Sequence, residues 1–281
     1  MSQFKVNVIG AGRVGQTLIR LLDDLDDYFV QDVVSARYQS AQEAARLTGN
    51  GRAVEDFSDL RPANLWIISV PDSQISAAAA KLESAFRDRN SDYQSSAAFH
   101  CSGYFPAEQM APLRRLNWRL ASAHPVLSFA VPLAAQEQFK GALCGLEGDE
   151  EAKKLIQPML EKMGAECFSI RSESKSLYHA AAVISNNFTV VLQAIAREAW
   201  AEAGVSDEVA QQLNAKLLDS TAQNVAAFGP QQALTGPAAR GDELVVSEQG
   251  DDVASWYPEA GNIYKQMSNM ARNLKVHGTT R

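Results

Sequence analysis

The sequence predicts an α/β fold in two parts: a Rossmann-type, mostly parallel sheet over residues 1–171, then an all-helical domain over residues 172–281. Three observations carry this. Short β-branched runs alternate with helical patterns through the first two-thirds of the chain, as the strands of a parallel sheet alternate with the helices that cover it. The segment Gly10-Ala11-Gly12-Arg13-Val14-Gly15 lies directly between the first apolar run and the first helical pattern. After Arg171 the strand pattern stops, and apolar residues recur at three- and four-residue steps instead.

Taken in order, strands are expected over 4–9, 31–35, 65–70, 97–101 and 120–124, with helices over 14–25, 41–47, 73–87 and 106–113. Ser40 and Ser73 stand where N-caps belong. A second βαβ-like unit follows, with strands over 142–146 and 166–170 flanking a helix over 150–163. Leu177, Ala181, Ile184, Phe188, Val191, Ile195 and Ala199 then predict one long amphipathic helix over 175–203. Further helices are expected over 207–228 and, after a loop, over 260–274.

Composition narrows the function classes. Of 281 residues, 46% are hydrophobic and 21% charged, a globular balance, and the net charge is -7. With no basic tract, nucleic acid and anionic membrane are not expected partners. Cys101, Cys144 and Cys167 show no paired metal-site spacing, so neither a zinc site nor a disulfide framework is signalled. They read as small buried hydrophobes of a reducing compartment. The first apolar run is too short to span a bilayer, and the apolar stretch 180–203 is interrupted by Asn186, Asn187, Gln193, Arg197 and Glu198. A cytoplasmic protein without a bound metal is expected.

The glycine segment has the spacing of a dinucleotide loop. Gly10 allows the tight turn, Gly12 admits the pyrophosphate, and Gly15 lets helix and strand pack closely, while Ala11, Arg13 and Val14 open the helix whose free N–H groups face the phosphates. An NAD site usually places a carboxylate at the tip of the second strand. That tip here reads Val33-Val34-Ser35-Ala36-Arg37, so a hydroxyl and a guanidinium stand where a 2′-phosphate would be met. The expected cofactor is NADP(H). Val70, Pro71 and Asp72 follow the strand 65–70 at the carboxyl edge of the sheet and are expected near the nicotinamide ribose, with Asp72 open to a second reading as a helix cap.

His100-Cys101-Ser102-Gly103, the run Ala123-His124-Pro125-Val126-Leu127-Ser128-Phe129, Tyr178-His179-Ala180-Ala181-Ala182-Val183, Ser185-Asn186-Asn187 and Leu234-Thr235-Gly236-Pro237-Ala238-Ala239-Arg240-Gly241-Asp242 together resemble an uncharacterised bacterial family of Rossmann-like proteins assigned as NADP oxidoreductases. That family carries a helical C-terminal domain similar to that of 6-phosphogluconate dehydrogenases. The resemblance runs from the glycine loop to at least Asp242. His124-Pro125 is similar to the His-Pro pair of prephenate dehydrogenases, which implies that His124 contacts the reacting group. Hydroxyacid and 6-phosphogluconate dehydrogenases carry a substrate-facing Lys-x-x-x-Asn on the first long helix of their second domain, and this chain departs from it with Lys175-x-x-x-His179, so the resemblance does not carry their substrates over. Ketopantoate reductases share the two-domain plan, and a related reductase family moves hydride between NADP and a deazaflavin.

Carbonyl reduction requires a general acid, and histidine is matched to that role. The chain has four histidines. His124 and His100 end strands at the ligand edge, His179 lies on the long helix, and His277 lies in the terminal tail. On an ideal α-helix Lys175, His179 and Asn186 fall within roughly 40° of one another, a polar stripe that either faces a cleft or is satisfied by hydrogen bonds. Ser102 is expected to orient a substrate oxygen, having no triad partners. Arg240 is expected to clamp a substrate carboxylate, to pair with Asp242 or to cap a helix. The function these residues predict is NADPH-dependent reduction of a small carbonyl compound, 2-keto acids such as ketopantoate being one class, in the cleft between the domains. His124 would be the proton donor and Lys175, His179 and Asn186 would position the substrate. The alternatives are a non-catalytic NADP(H)-binding regulatory module and hydride exchange with a deazaflavin. The long helix has apolar residues around much of its circumference, which predicts a homodimer through the helical domain.

Overall fold

Eight strands form one sheet in the order β3-β2-β1-β4-β5-β6-β7-β8. They are β1 Phe4–Ile9, β2 Tyr28–Val34, β3 Arg52–Val54, β4 Leu65–Ile68, β5 Ala97–His100, β6 Arg119–Pro125, β7 Leu143–Gly148 and β8 Glu166–Ser169. The computed structural model describes residues 3–49, 51–89, 96–127, 129 and 136–281; Ser128 of the sequence motif lies outside them. Neighbouring strands are parallel except β6 and β7, which run antiparallel. Strand order reverses between β1 and β4, where ligands of open α/β sheets bind.

One register row crosses the carboxyl edge of this sheet: Val54, Val34, Ile9, Ile68, His100, Ser122 and Glu147. Its first four members are buried and apolar, and its last three are buried and polar. Because partners in register point to the same face, the sequence places a line of polar groups where a second polar element must satisfy them.

Helices α1 Arg13–Asp23, α2 Tyr38–Ala45 and α4 Glu150–Lys162 contribute buried side chains to one core cluster, and α3 Ile75–Phe86 contributes to another. The chain divides into two compact units, one ending at Ala181 and one running from Ala182 to Arg281. In the first unit β1 has the bounds the sequence predicts, and most other edges shift by a few residues. Ser40 and Ser73 are not caps. Arg37 already has extended backbone and starts α2, which places Ser40 inside it, and Ser73 lies in a 3-10 turn, Asp72–Gln74. The helix expected over 106–113 is a 3-10 run, Ala107–Leu116, broken at Met110 and containing Pro112, which has no N–H to donate. β3 has three residues, too few to leave a periodic signal; Arg52 at its start is tied to buried Asp32 of β2.

The second part of the chain is helical: α5 Lys175–Val183, a π-helical segment Ile184–Phe188, α6 Thr189–Glu202, α7 Asp207–Ala233, a turn Pro237–Arg240, α8 Glu243–Trp256 and α9 Pro258–His277. The long helix expected over 175–203 thus contains a π segment, which breaks the 3.6-residue period behind the predicted polar stripe. α7 is interrupted at Gly229, whose positive φ of 73° precedes Pro230. The loop expected before the last helix contains α8, whose residues show little amphipathic order.

Candidate functional site

The loop after β1 is shaped by the space around its glycines. Gly10 has φ +101°, and a Cβ there would lie 2.7 Å from the Ser69 carbonyl. At Gly15 a Cβ would lie 2.2 Å from the Gly10 oxygen. Gly12 has nothing within 4 Å of its Cβ position. The outer two glycines are therefore required by packing, and the middle one leaves an approach from outside. The first turn of α1 contains no acidic residue, so its positive dipole end and its free N–H groups stay unneutralised. Ala11 N donates to Ser35 Oγ at 3.4 Å, linking the loop to the β2 tip, and Ser69 Oγ donates to the Gly10 oxygen at 2.8 Å.

Beside the loop lies a cavity of about 720 Å³. Gly10, Ser35, Ala36, Phe57, Val70 and Lys81 are among its lining residues. Arg13 and Arg37 are exposed, Val14 and Val70 are half-buried, and Pro71 and Asp72 are exposed. Sequence reasoning missed Phe57 and Lys81, whose ammonium sits 5.7 Å from the Phe57 ring centre. They come from a 3-10 turn and the exposed face of α3, and neither carries a motif. These residues fit a dinucleotide, with an open phosphate approach at Gly12 and, in the cavity, a hydroxyl at Ser35 and a cation at Lys81; Arg37, two residues after Ser35, is exposed and outside the lining.

The loop after β5 is held from within. His100 is fully buried; its Nε2 donates to the Pro106 oxygen at 3.0 Å and its Nδ1 accepts from Ser102 N at 3.2 Å. Burial pushes its pKa down to about 4, so the ring is neutral. Ser102 Oγ donates to Asp72 Oδ2 at 2.8 Å and accepts from Tyr104 N and Phe105 N at 3.1 and 3.0 Å. Both side chains are thus engaged in fixing the loop, and Asp72 joins it to the end of β4.

Gly103, at the tip of this loop, is buried between two imidazoles. A Cβ there would lie 2.5 Å from His179 Nδ1 and 2.8 Å from His124 Nε2. The two ring centres are 5.9 Å apart. His124 Nδ1 is 2.9 Å from the Tyr178 hydroxyl, and burial, which comes first, together with Lys175 and His179 lowers its pKa to about 4. The ordinary histidine value near 6.5 does not hold at this position. Burial also raises Tyr178 to about 12, which keeps it a phenol. Where the phenol donates to Nδ1, the imidazole carries its proton on Nε2, on the Gly103 side. His179 Nδ1 is buried with no hydrogen-bond partner.

Lys175 is 1% exposed, and its ammonium inserts into the polar end of the register row. It donates to Ser122 Oγ and lies 3.7 Å from Glu147 Oε1. Glu147, itself buried, also accepts from Ala107 N and Ser172 Oγ, each at 2.6 Å. Burial lowers Lys175 to about 8, with Glu147 opposing the shift. Lys175 thus fastens the start of α5 to the sheet. Glu147 and Tyr178 were missed in the sequence; a lone carboxylate inside the apolar strand 143–148 was the available signal for the first. Asn186 is exposed in the π segment, and Arg240 pairs with Asp242, its Nη2 3.0 Å from Oδ2. Among the described residues no cluster of three or more His, Cys, Asp or Glu is placed to hold a metal ion.

Residues 1–125 match the model of the Rossmann-like domain, and residues 142–271 match a domain of unknown function, DUF2520. No curated protein matches the chain. The structure is similar to protein TM1727 of Thermotoga maritima at 25% identity and TM-score 0.78, covering 96% of this chain and 98% of that one. It is also similar to BF3122 of Bacteroides fragilis, provisionally named an NADP oxidoreductase, at 22% identity and TM-score 0.70, over 96% and 98% of the two chains. A pyrroline carboxylate reductase of Plasmodium falciparum with NADP bound is similar at 9% identity and TM-score 0.57, over 97% and 99%. The chain therefore shares, over nearly all its length, the plan of a Rossmann-like sheet followed by a helical segment.

Proposed function

We propose that this chain is an NADP(H)-dependent oxidoreductase that reduces a small carbonyl compound, 2-keto acids being the first class to test. The observation that carries the reading is the convergence of His124 and His179 on Gly103 at the carboxyl ends of β5 and β6, with His179 Nδ1 buried and unpartnered. A buried polar atom without a partner costs free energy unless a ligand completes it. Gly10, Gly12 and Gly15 would hold the pyrophosphate, and Ser35 and Arg37 the 2′-phosphate. When bound, the dinucleotide supplies the hydride. With Tyr178 donating to its Nδ1, neutral His124 donates a hydrogen bond from Nε2 to the substrate oxygen and polarises the carbonyl, and the proton that completes the alcohol comes from solvent. A pKa of about 4 keeps the ring neutral, which suits that role. His179 accepts from or donates to the substrate and orients it.

The same reading includes a small-molecule partner, a cytoplasmic setting without nucleic acid or membrane, and a two-fold homodimer through the helical unit. Support for the dimer comes from the second unit, whose buried hydrophobics are Ala210, Val246 and Ala260, whereas Ile184, Phe188, Val190, Phe228 and Leu244 are more than half exposed.

The test is a titration of NADPH and NADH against wild type and Arg37→Ala, followed by NADPH oxidation over a panel of 2-keto acids including ketopantoate, aldehydes and a cyclic imine. NADPH is expected to bind more tightly by about 1.5–3 kcal/mol, the worth of a charge-assisted bond, and Arg37→Ala to erase most of that margin. With an active substrate, His124→Gln should lower turnover by about 10²–10⁴ while cofactor affinity holds. Equal affinity for the two cofactors in wild type overturns the NADP(H) reading. Tight NADPH binding without turnover across the panel favours a regulatory module instead.

A further inference from the structure

The geometry points to a redox-sensitive thiol pair: Cys144 and Cys167 form a reversible disulfide between β7 and β8 when a hydroperoxide reaches the edge of the sheet. The two residues are 23 positions apart in sequence, which concealed them, yet they are direct register partners on neighbouring parallel strands. Adjacent strands lie about 4.8 Å apart, inside the roughly 4.4–6.8 Å Cα separation that disulfides span. Register partners point to one face, and both thiols pack against the same core cluster, which also contains Ala152, Ile156 and Met159 of α4. The two thiols already lie within hydrogen-bond reach of one another.

Their environments assign the order of events. Cys144 is fully buried, whereas Cys167 is half-buried on β8, the last strand of the sheet. The Cys144 thiol donates to Cys167, which holds Cys167 below the ordinary cysteine range and Cys144 above it. Cys167 is therefore the thiolate that meets the oxidant. It attacks the terminal oxygen of the hydroperoxide, the O–O bond breaks, and Cys167 becomes a sulfenic acid as water or alcohol departs. The Cys144 sulfur then attacks the sulfenic sulfur, its proton leaves with the displaced hydroxide as water, and the S–S bond forms. Two thiols are oxidised and one peroxide is reduced.

The bridge would form against the histidine site. Cys144 pairs in register with Pro125, the residue after His124. A Cβ on the next residue, Gly145, would lie 3.0 Å from the Tyr178 hydroxyl that serves His124. The thiol pair is independent of the NADP(H) reading.

The experiment treats the folded full-length protein with one to a few equivalents of hydrogen peroxide, blocks remaining thiols with iodoacetamide and maps peptides by mass spectrometry. The expected product is a Cys144–Cys167 linkage with loss of both free thiols, reversed by dithiothreitol, with Cys101 alkylated as before treatment. Cys101 is the internal control, since burial raises its thiol to about 12. In Cys144→Ala, dimedone should trap a sulfenic acid at Cys167, formed more slowly because the lowering hydrogen bond is gone, and in Cys167→Ser neither bridge nor sulfenic acid should appear. The wild-type map requires no variant to fold. A linkage through Cys101, or Cys144 and Cys167 both remaining reduced while other sites oxidise, overturns the proposal.

Discussion

His100 is a fully buried ring and His124 a half-buried one, both at strand ends, and their partners give them different work. His100 spends both nitrogens on its own loop, Nε2 to Pro106 and Nδ1 to Ser102. His124 spends one on Tyr178 and keeps the other beside Gly103. Both have folded-state pKa values near 4 and charge near 6.5 when unfolded. Between about pH 6.5 and pH 4 the unfolded chain binds more protons, so their contribution to stability is complete above pH 6.5 and lost as pH falls through that window. For fully buried His100 the fall from 6.5 to about 4 is worth about 3 kcal/mol. In His100→Gln, urea midpoints should decline less steeply across that window than in wild type, although the variant starts about 1–3 kcal/mol lower at pH 8 from lost hydrogen bonds. Parallel pH profiles for the two proteins would refute a neutral buried His100. The sequence showed that four histidines were available and that two ended strands. It did not show which one was already satisfied, because that depends on the path of the loop between residues 101 and 106.

The β1–α1 loop shows how three glycines of one motif answer to different constraints. Gly10 and Gly15 are hemmed in by the Ser69 backbone and by the Gly10 carbonyl, whereas Gly12 faces open space. Gly15→Ala should destabilise the chain by about 1–3 kcal/mol, the usual cost of overpacking. Gly12 has φ −75° and ψ −170°, a conformation alanine also adopts, so Gly12→Ala should match or slightly exceed wild type in stability. Its methyl group would occupy the phosphate approach and weaken NADPH binding at least about tenfold. Calorimetry with and without NADPH separates the two effects, and unchanged affinity in Gly12→Ala would remove that loop from the cofactor site. This element was legible because strand, glycine spacing and helix follow one another in sequence. The polar row of His100, Ser122 and Glu147 was not, since it is assembled by register across β5, β6 and the antiparallel β7. Nor was the π segment, which replaces the regular period assumed for Lys175, His179 and Asn186.

The two units differ in how completely they bury their apolar groups, and that difference sets the last prediction. The first unit has two extended core clusters on its sheet. The second has 100 residues from Ala182 to Arg281 and three buried hydrophobics, with large apolar side chains exposed along α6 and α7. A segment of that size ordinarily buries well over half of the surface its unfolded chain exposes, so this unit requires a covering surface. A bilayer is a poor match for it: the long helix carries Arg197, held in an ion pair with Asp207, and Glu198 on the same run. We propose a second copy as that surface, since two-fold symmetry satisfies the same face twice. Light scattering at micromolar concentration should therefore give twice the chain mass of 30.5 kDa. Val190 and Phe228 are 65% and 61% exposed in one chain, so Val190→Asp and Phe228→Asp would change a monomer's stability by about 0.5 kcal/mol or less. In a dimer the same substitutions bury an unpaired carboxylate; they should split it, lower its melting temperature by several degrees and abolish the dependence of that temperature on protein concentration. A monomeric wild type whose stability ignores both substitutions would leave the helical face without this partner.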